Sequence, residues 1–552
     1  MGLPVIRLSI NRLIKAIGKE VSLKELERLL MRLKAEVEEV SDDYISIEIN
    51  SDRLDMMISE GVARALKGLL EIEVGMPRYS YRDSGYQLEV LDVPSRPYIA
   101  MAIVRGIESS ENYIEELIQF QEKLHTTIGR MRRKVAIGIH DLSKVPSREC
   151  VYRELEPSER LIPLGYSRSM SVAETLSSTE QGRLYGSISL RGGRTPGIVC
   201  GETIISMPPV INSNITRITE HTEDLLIDVT GIDLDAVIKT LEILSTTLAE
   251  GSRSRVIERV LVKAPWGVIE TPRGDARVME IDTDWASRIL GIEGMNPDEM
   301  ARKLLMMRID AKVLDRVVEA TIPSYRIDII DPVDLVEEIA MAIDLNSLEP
   351  EPLATILPGK PSKESIVRRT IRDIMIGLGF TEIYRHVLTS SKILTDLGYN
   401  GFLRIKNPVS SEMDAARPSI IPSLLETLRR SQHSPKPIKI FEIGEIVTRD
   451  PSIYTGWRTR LSLAAAILDY EVSFEDIQAP LFSLLRSLGL EPKTVQAKNS
   501  VFIDGRTALV IANNKQLGYV GEVKIEILDA LEIGFPVALF EIDITKILEI
   551  LG

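Results

Sequence analysis

The chain has 552 residues, of which 44% are hydrophobic and 27% charged, and its formal net charge is −14. This length corresponds to roughly three to five domains, and the composition is that of an ordinary globular protein. The negative charge argues against a protein whose whole surface binds nucleic acid, although a local basic patch is compatible with it. No run reaches the roughly eighteen apolar residues of a membrane span, and the first residues lack a signal-peptide pattern. We therefore expect a cytoplasmic protein with no membrane segment.

The chain has two cysteines, Cys150 and Cys200. Two cysteines are too few for a disulfide framework or a zinc site. Their scarcity fits a reducing cytosol, where disulfides are rare. We expect neither a disulfide framework nor a zinc site.

Residues 1–90 predict a small helix-rich module. It contains a strand over residues 5–9, two helices and a second strand over residues 44–49. Residues 22–33 align with residues 296–307, and Arg53-Leu-Asp55 aligns with Arg326-Ile-Asp328 at nearly constant offset. We infer an internal repeat of this module.

Residues 91–257 predict a mixed α/β domain. Strands are expected over residues 99–104 and 134–139, with a helix over residues 112–128 between them. The helix ends in Gly129-Arg-Met-Arg-Arg-Lys134, whose basic residues favour the helix dipole and could also meet phosphates. Small polar residues end the apolar strands near residues 206–213 and 225–230, and such positions can line a pocket.

Residues 265–348 contain the second copy of the module, and four carboxylates fall close together in it. Asp331 suits a helix N-cap, Pro332 the first helical position, and Asp334 can close a capping box. The apolar spacing that follows predicts a buried stripe and places Asp334, Glu337 and Glu338 on the opposite face. Asp328 ends an extended run and can reach the same face.

These acids repel one another, and the sequence supplies no cation between Ile327 and Gly359. Two partners are possible: a basic surface elsewhere, or a hard cation such as Mg²⁺, which binds carboxylate and water oxygens. The simpler alternative is that they favour the helix dipole and face water. In the first copy, Asp334, Glu337 and Glu338 correspond to Gly61, Arg64 and Ala65. The fold therefore does not require the acids, which favours a functional role.

A proline-rich linker precedes residues 358–552. This last region predicts helices over residues 362–377 and 423–431, and strands over residues 381–388, 439–447, 462–468, 508–513, 516–522 and 537–542. Short turns join the later strands, which indicates a largely antiparallel sheet with flanking helices. We find no P-loop, no Gly-x-Gly-x-x-Gly motif and no Gly-x-Ser-x-Gly motif.

Several segments together resemble the β subunits of phenylalanyl-tRNA synthetases of the archaeal and eukaryotic cytosolic type. The most specific are residues 324–338, Val135-Ala-Ile-Gly-Ile-His-Asp141, Pro208-Pro-Val-Ile-Asn-Ser213 and residues 406–419. The resemblance covers essentially the whole chain. It implies an (αβ)₂ tetramer with an α subunit, which joins phenylalanine to tRNA(Phe) with ATP.

The resemblance also implies an α+β multidomain fold with duplicated helix-rich modules, an editing-type (B3/B4-like) α/β domain and a class II synthetase-like core. The last domain lacks catalytic motifs: its matching strand, residues 439–447, has no arginine for the ATP phosphate. No catalytic residue for aminoacylation is expected here, and that reaction is assigned to the α subunit. The family's Mg²⁺ ligands match Asp328, Asp334, Glu337 and Glu338 in the second module, which is B5-like.

The domain at residues 91–257 resembles the family's editing domain, which hydrolyses tyrosine wrongly attached to tRNA(Phe). An apolar pocket shaped for phenylalanine cannot strongly reject a near-isostere with one added hydroxyl, so a second site removes the errors. The expected polar residues of the pocket are Ser206, Asn212, Asp228 and Thr230, with Arg132 and His140 at the tRNA end. Two alternatives remain open: a stand-alone deacylase of mischarged tRNA, and a non-catalytic tRNA-binding scaffold.

Overall fold

The computed structural model describes residues 4–350, 352 and 358–552, and the chain divides into two compact units at residues 351 and 352. The proline-rich linker expected near residues 350–361 lies partly outside the described residues. Within the described parts of the chain, no helix is long and apolar enough to cross a membrane.

The first unit begins with the small module expected from the sequence. Ser9 and Ser22 cap its first two helices by accepting hydrogen bonds from backbone N–H groups. Its third strand alternates half-buried and buried residues, and it is the central strand of a three-stranded sheet of order β1-β3-β2. The elements are β1 (Val5–Ser9), α1 (Ile10–Ile17), α2 (Leu23–Arg32), β2 (Ala35–Val40), β3 (Tyr44–Ile49) and α3 (Ser59–Leu69).

A ten-stranded mixed sheet forms the middle of the first unit. Its strands run in the order β12-β11-β10-β7-β4-β14-β5-β13-β6, with β15 paired to β14. Helix α7 packs on β5 and β13. The elements are β4 (Ser80–Val90), β5 (Tyr98–Arg105), α4 (Glu111–Thr126), β6 (Val135–Asp141), β7 (Glu149–Leu155), β8 (Arg160–Leu161), β9 (Met170–Ser171), α5 (Val172–Ser178), α6 (Glu180–Tyr185), β10 (Thr195–Cys200), β11 (Thr203–Met207), β12 (Ile211–Asn212), β13 (Asp224–Gly231), α7 (Leu234–Glu250), β14 (Val256–Ala264) and β15 (Gly267–Thr271).

The two cysteines are joined by a single disulfide bond, which neither their number nor the expected reducing cytosol predicted. Cys150 on β7 and Cys200 on β10 are direct partners in an antiparallel pairing, and both are buried. The sequence places them 50 residues apart and gives no sign that their strands are adjacent. The pair is a single cross-link between neighbouring strands and not part of a framework.

The second module repeats the first in element order and in sheet topology. Its sheet has the order β16-β18-β17, which corresponds to β1-β3-β2 of the first copy. The internal repeat inferred from the sequence is therefore present in the structure. The elements are β16 (Arg277–Asp282), α8 (Thr283–Leu290), α9 (Pro297–Met306), β17 (Asp310–Leu314), β18 (Val317–Ile322) and α10 (Pro332–Ile343).

The two modules share one hydrophobic core with the middle sheet. This core contains Ile47 and Leu66 of the first module, Ile137 of the middle domain, and Leu304 and Ile339 of the second. Arg32 of α2 also donates hydrogen bonds to the carbonyl oxygens of residues 341 and 342, at the end of α10. The copies therefore fold against each other although the middle domain separates them in sequence.

The second unit is a seven-stranded sheet with helices on both faces. The order is β19-β22-β23-β27-β26-β25-β24, and all neighbours are antiparallel except β19 and β22. This agrees with the largely antiparallel sheet expected, but the strand expected over residues 381–388 is only two short pieces. The elements are α11 (Lys363–Gly377), β19 (Thr381–Glu382), β20 (Leu388–Thr389), α12 (Ser391–Asp396), β21 (Ala415–Ala416), α13 (Ile421–Ser431), β22 (Ile438–Arg449), β23 (Trp457–Leu468), α14 (Phe474–Ser487), β24 (Pro492–Gln496), β25 (Phe502–Ala512), β26 (Lys515–Val523), α15 (Ile525–Ala530), β27 (Val537–Asp543) and α16 (Ile544–Leu551).

Candidate functional site

A cavity of about 880 Å³ lies in the middle domain, between helix α4, strand β6 and the segment of residues 206–221. This volume lies within the range of about 300 to 1,000 Å³ that is usual for small-molecule sites. Its walls are mostly apolar, and the part lined by Ser206, Asn212 and Asp228 is its polar end. The residues that line it include Leu117, Ile118, Gln121, Glu122, Arg132, Ile137, Gly138, Ile139, Ser206, Asn212, Thr216, His221 and Asp228.

Three of the residues expected at a pocket meet at the polar end of this cavity. Asp228 of β13 lies opposite Gly138 of β6, and a Cβ atom added at Gly138 would lie 1.9 Å from Asp228 Oδ2. Ser206 and Asn212 are partners across β11 and β12, and the Ser206 hydroxyl donates to Asn212 Oδ1 at 2.9 Å. Only glycine at position 138 leaves room for the Asp228 carboxylate, so this contact fixes the floor of the cavity.

The structure places His140 beneath the cavity floor and not at a surface that could meet tRNA. Its side chain is fully buried on β6. Nε2 lies 2.9 Å from Asp228 Oδ2, and Nδ1 lies 2.7 Å from the Thr216 hydroxyl. The expectation that His140 serves the tRNA end is therefore corrected, because both ring nitrogens are engaged inside the protein.

Arg132 is also engaged within the protein and forms part of the cavity wall. Its guanidinium donates to the carbonyl oxygens of Pro209 and Val210 at 3.2 and 3.1 Å and to Glu122 at 2.5 Å. Burial alone would raise the pKa of Glu122, but hydrogen bonds and charge from His125 and Arg132 outweigh it and lower the pKa to about 2. Arg132 therefore fixes the loop over the cavity and is not free to bind a phosphate.

Thr230 does not line the cavity, although the sequence placed it with Asp228. Its hydroxyl accepts a hydrogen bond from Arg96 Nε at 2.9 Å, and both residues are fully buried. Burial lowers the pKa of Arg96 to about 10. Thr230 thus supports the sheet behind the site.

Several residues of the cavity wall were not expected from the sequence, and Gln121 and Thr216 are two of them. Gln121 donates from Nε2 to the carbonyl oxygen of Ile137 at 2.7 Å, and Thr216 lies in a short turn after β12. The helical spacing places Gln121 on the inner face of α4 and was a usable signal. No sequence pattern distinguishes Thr216 from an ordinary turn residue.

The acidic helix α10 begins as expected. Asp331 accepts from the Val333 backbone, and Asp334 accepts from the backbone N–H groups of Ile330 and Asp331 at 2.7 and 2.9 Å. The capping box and the proline at the start of the helix are therefore both present. Asp334, one of the four expected metal ligands, therefore already accepts hydrogen bonds from the backbone at the helix start.

The chain supplies cations for the three other acids from outside the stretch of residues 327–359, as one of the two possible partners required. Arg326 is fully buried and donates to Asp328 at 2.8 Å and to Glu338 at 2.5 Å. Lys34, 303 residues away in sequence, lies 3.3 Å from Glu337. Glu338 is buried and does not share the solvent-facing side with Glu337, whose side chain is about half exposed.

Among residues 4–350, 352 and 358–552, no group of three or more aspartate, glutamate, histidine or cysteine side chains is arranged to hold a metal ion. The four carboxylates expected as ligands offer only oxygen atoms, which are the ligands that Mg²⁺ prefers. Two of these four, however, bind Arg326 instead. The four residues do not form a ready-made metal site within this chain.

A buried polar cluster lies on one face of the sheet in the second unit. Arg417 donates to Glu442 on β22 at 2.6 Å, and both side chains are buried. Glu541 on β27 accepts from the Ser419 and Ser462 hydroxyls and from the Ile420 backbone. Burial raises the pKa of Glu541. These groups bind one another, and only Glu442 Oε2 is buried there without a hydrogen-bond partner among the described residues.

Comparison with known proteins agrees with this architecture. Residues 350–544 match the family model described as the phenylalanyl tRNA synthetase beta chain CLM domain, and residues 279–344 match the tRNA synthetase B5 domain. The second match contains most of the second module, including the acidic helix. Together with the fold, these matches define a subunit of an aminoacyl-tRNA synthetase.

Full-length relatives narrow this class. The phenylalanine–tRNA ligase beta subunit of Sulfurisphaera tokodaii is 42% identical over 533 residues, covering 96% of this chain and 97% of the relative. That of Saccharolobus solfataricus is 40% identical over 537 residues and 97% of both chains. The solved N-terminal fragment of the Pyrococcus horikoshii β subunit covers 62% of this chain and 99% of the fragment, with 33% identity and a TM-score of 0.59. The chain belongs to the phenylalanine–tRNA ligase beta subunit family and is a ligase component.

Proposed function

We propose that the chain supports ATP-dependent charging of tRNA(Phe) by an α subunit in an (αβ)₂ tetramer, and that it hydrolyses Tyr-tRNA(Phe). The observation that carries the editing role is the cavity of about 880 Å³ with apolar walls and the Asp228 carboxylate at its polar end. This arrangement suits an aromatic side chain with one polar tip. Charging itself belongs to the α subunit.

The Asp228 carboxylate can distinguish tyrosine from phenylalanine. Oδ2 is held by His140, whereas Oδ1 has no hydrogen-bond partner among the residues that the structure describes. A tyrosine hydroxyl can donate to Oδ1. Phenylalanine would bury that oxygen without a partner, at a cost of about 1 to 3 kcal/mol, or more for a charged group. The cavity therefore favours the mischarged substrate over the correct one.

The second unit supports assignment of aminoacylation to the α subunit. Arg417 and Glu442 are buried and bind each other. Strand β22 carries one arginine, Arg449, at its last residue and outside the part expected to contact ATP. We propose that this unit is a structural partner of the α subunit and does not bind ATP.

The magnesium site is also a proposal. Asp334 and Glu337 are the two acids of the set that do not bind Arg326. They would hold the ion together with water, through the Asp334 oxygen that does not cap the helix and through Glu337 in place of its contact with Lys34. Mg²⁺ is often bound through only one or two carboxylates and keeps several waters. The ion would neutralise charge on helix α10.

The proposal is tested by deacylation of Tyr-tRNA(Phe) and Phe-tRNA(Phe) with the enzyme assembled from both subunits. Asp228→Asn keeps the size of the side chain but removes the charged acceptor, and we expect a loss of Tyr-tRNA hydrolysis of about 10- to 100-fold, from a charge-assisted bond of about 1.5 to 3 kcal/mol. Asp224→Asn is the matched control, because Asp224 lies on the same strand and pairs with Arg105 instead. If the parent enzyme does not deacylate Tyr-tRNA(Phe), the chain is a non-catalytic scaffold. If the chain is fully active without the α subunit, it is a stand-alone deacylase.

A further inference from the structure

Three buried side chains are linked by hydrogen bonds at the cavity: Thr216 and Asp228 line it, and His140 lies between them behind the wall. The bonds connect Thr216 Oγ1 to His140 Nδ1 at 2.7 Å and His140 Nε2 to Asp228 Oδ2 at 2.9 Å. The three residues come from different elements: the turn after β12, strand β6 and strand β13. All three are at most 1% exposed. Such a chain of hydrogen bonds fixes the orientation of each member.

The strand pairing explains why His140 reaches Asp228. Asp228 lies opposite Gly138, and His140 lies two residues further along β6, opposite Leu226. Residues two apart on a strand share a face, so His140 and Asp228 are diagonal neighbours on the same face of the sheet. Because Gly138 has no side chain, there is room for the Asp228 carboxylate and for its contact with His140.

The hydrogen-bonding capacity of imidazole determines which atoms donate and which accept between Thr216, His140 and Asp228. A neutral histidine has one ring nitrogen that donates and one that accepts. When the Thr216 hydroxyl donates to Nδ1, Nε2 carries the hydrogen and donates to Asp228 Oδ2. The second oxygen, Oδ1, is then left to face the cavity as an acceptor.

We propose that His140, held by Thr216, is a positioning residue. It fixes the Asp228 carboxylate so that Oδ1 accepts a hydrogen bond from a hydroxyl on the aminoacyl group. The inference rests on the proposed editing function and deepens it. His140 has no exposed surface and acts only through Asp228. Removal of its hydrogen bond frees the carboxylate to rotate, and the distinction between an aromatic group with a hydroxyl and one without it is lost.

The test uses the assembled enzyme with Tyr-tRNA(Phe) and Phe-tRNA(Phe) as the two substrates. His140→Leu removes the donor, and we expect Tyr-tRNA hydrolysis to fall about 10-fold or more while slow hydrolysis of Phe-tRNA stays unchanged, since about 1.4 kcal/mol corresponds to tenfold. His140→Gln places a side-chain N–H donor near the position of Nε2 and should retain activity within a few-fold. Thr216→Val should give a smaller loss of the Tyr-to-Phe ratio, and Thr216→Ser should restore it.

The outcomes separate this inference from the proposed function. Parent enzyme that fails to hydrolyse Tyr-tRNA overturns the editing function itself. A normal parent combined with an unchanged Tyr-to-Phe ratio in both His140→Leu and Thr216→Val overturns only the positioning role. Equal loss on both substrates in every variant, including His140→Gln, indicates a purely structural histidine and also overturns it. Should His140→Leu fail to fold, the Gln and Thr216 variants decide the question.

Discussion

Arg53 and Arg326 occupy equivalent positions in the two copies of the module, and each donates through Nε to an aspartate two residues later. The distances are 2.9 Å to Asp55 and 3.0 Å to Asp328. In the second copy the arginine also binds Glu338, whereas in the first copy Arg64 approaches Asp55 instead. Both copies therefore keep the ion pair between the arginine and the aspartate two residues later. They differ in the third charged residue, which is a glutamate beside the arginine in the second copy and an arginine beside the aspartate in the first.

Loss of Arg326 should destabilise the first unit strongly. Arg326→Met leaves the carboxylates of Asp328 and Glu338 without their cation in a buried place, which typically costs about 3 to 5 kcal/mol. The measurement is the shift of the thermal or denaturant transition. Arg302→Met is the control, because Arg302 pairs with Glu71 on the surface, and we expect little change there. Equal shifts in the two variants would contradict the importance of burial.

Stability should depend on pH through Glu122. Its folded pKa of about 2 lies below the value of 4.5 of an unperturbed glutamate. A depressed carboxyl pKa stabilises the folded state above pH 4.5, and that contribution is lost as the pH falls towards 2. The melting temperature of Glu122→Gln should therefore lie below the parent's at pH 7, and the gap should close below pH 4.5. Glu115→Gln, at an exposed position of the same helix, is the control; a gap that widens in acid refutes the assignment.

The disulfide should stabilise the middle domain. Cys150 and Cys200 close a loop with a sequence separation of 50, and the loss of chain entropy in the unfolded state then corresponds to about 4 kcal/mol. Thiol titration of the unfolded chain without reductant should find no free thiol. Reductant should lower the melting temperature of the parent and leave that of Cys150→Ser with Cys200→Ser unchanged. Two free thiols in freshly prepared protein would show that the bond does not form.

The magnesium proposal predicts an effect of one exposed side chain. Glu337→Gln removes a half-exposed carboxylate that pairs with Lys34 and not with Arg326. Such a pair contributes little to stability, so the fold should persist while Mg²⁺ no longer strengthens assembly with the α subunit. Native mass measurement with MgCl₂ and with EDTA reports the tetramer directly. Glu299→Gln in the first turn of helix α9 is the control for a charge at a helix start. Assembly that ignores Mg²⁺ in the parent would remove the ion from the proposal.

The sequence could predict elements that depend on local pattern. Asp331 and Pro332 start α10 where their residue types indicate, and the aligned Arg53 and Arg326 predicted the duplicated fold. The helix start depends only on neighbours within a few residues, and the duplication is visible because the two copies can be aligned. Ser206, Asn212 and Asp228 could be placed at a pocket because the resemblance marked them.

Contacts between distant segments could not be predicted from the same patterns. Lys34 reaches Glu337 across 303 residues, and no local rule relates them. His140 lies on a strand whose seven residues are all buried, so alternation did not indicate which face it occupies. Thr230 shares a face with Asp228, but Arg96 binds its hydroxyl and removes it from the cavity.

The core that joins the two module copies has a consequence for synthesis on the ribosome. Helix α3 ends at Leu69 and strand β16 begins at Arg277, so roughly 200 residues must be translated before the second copy begins to be made. At about 5 to 20 residues per second this takes roughly 10 to 40 s. During that interval the nascent first copy lacks the partner that covers its apolar side, and a chaperone that shields it would have a defined window in which to act.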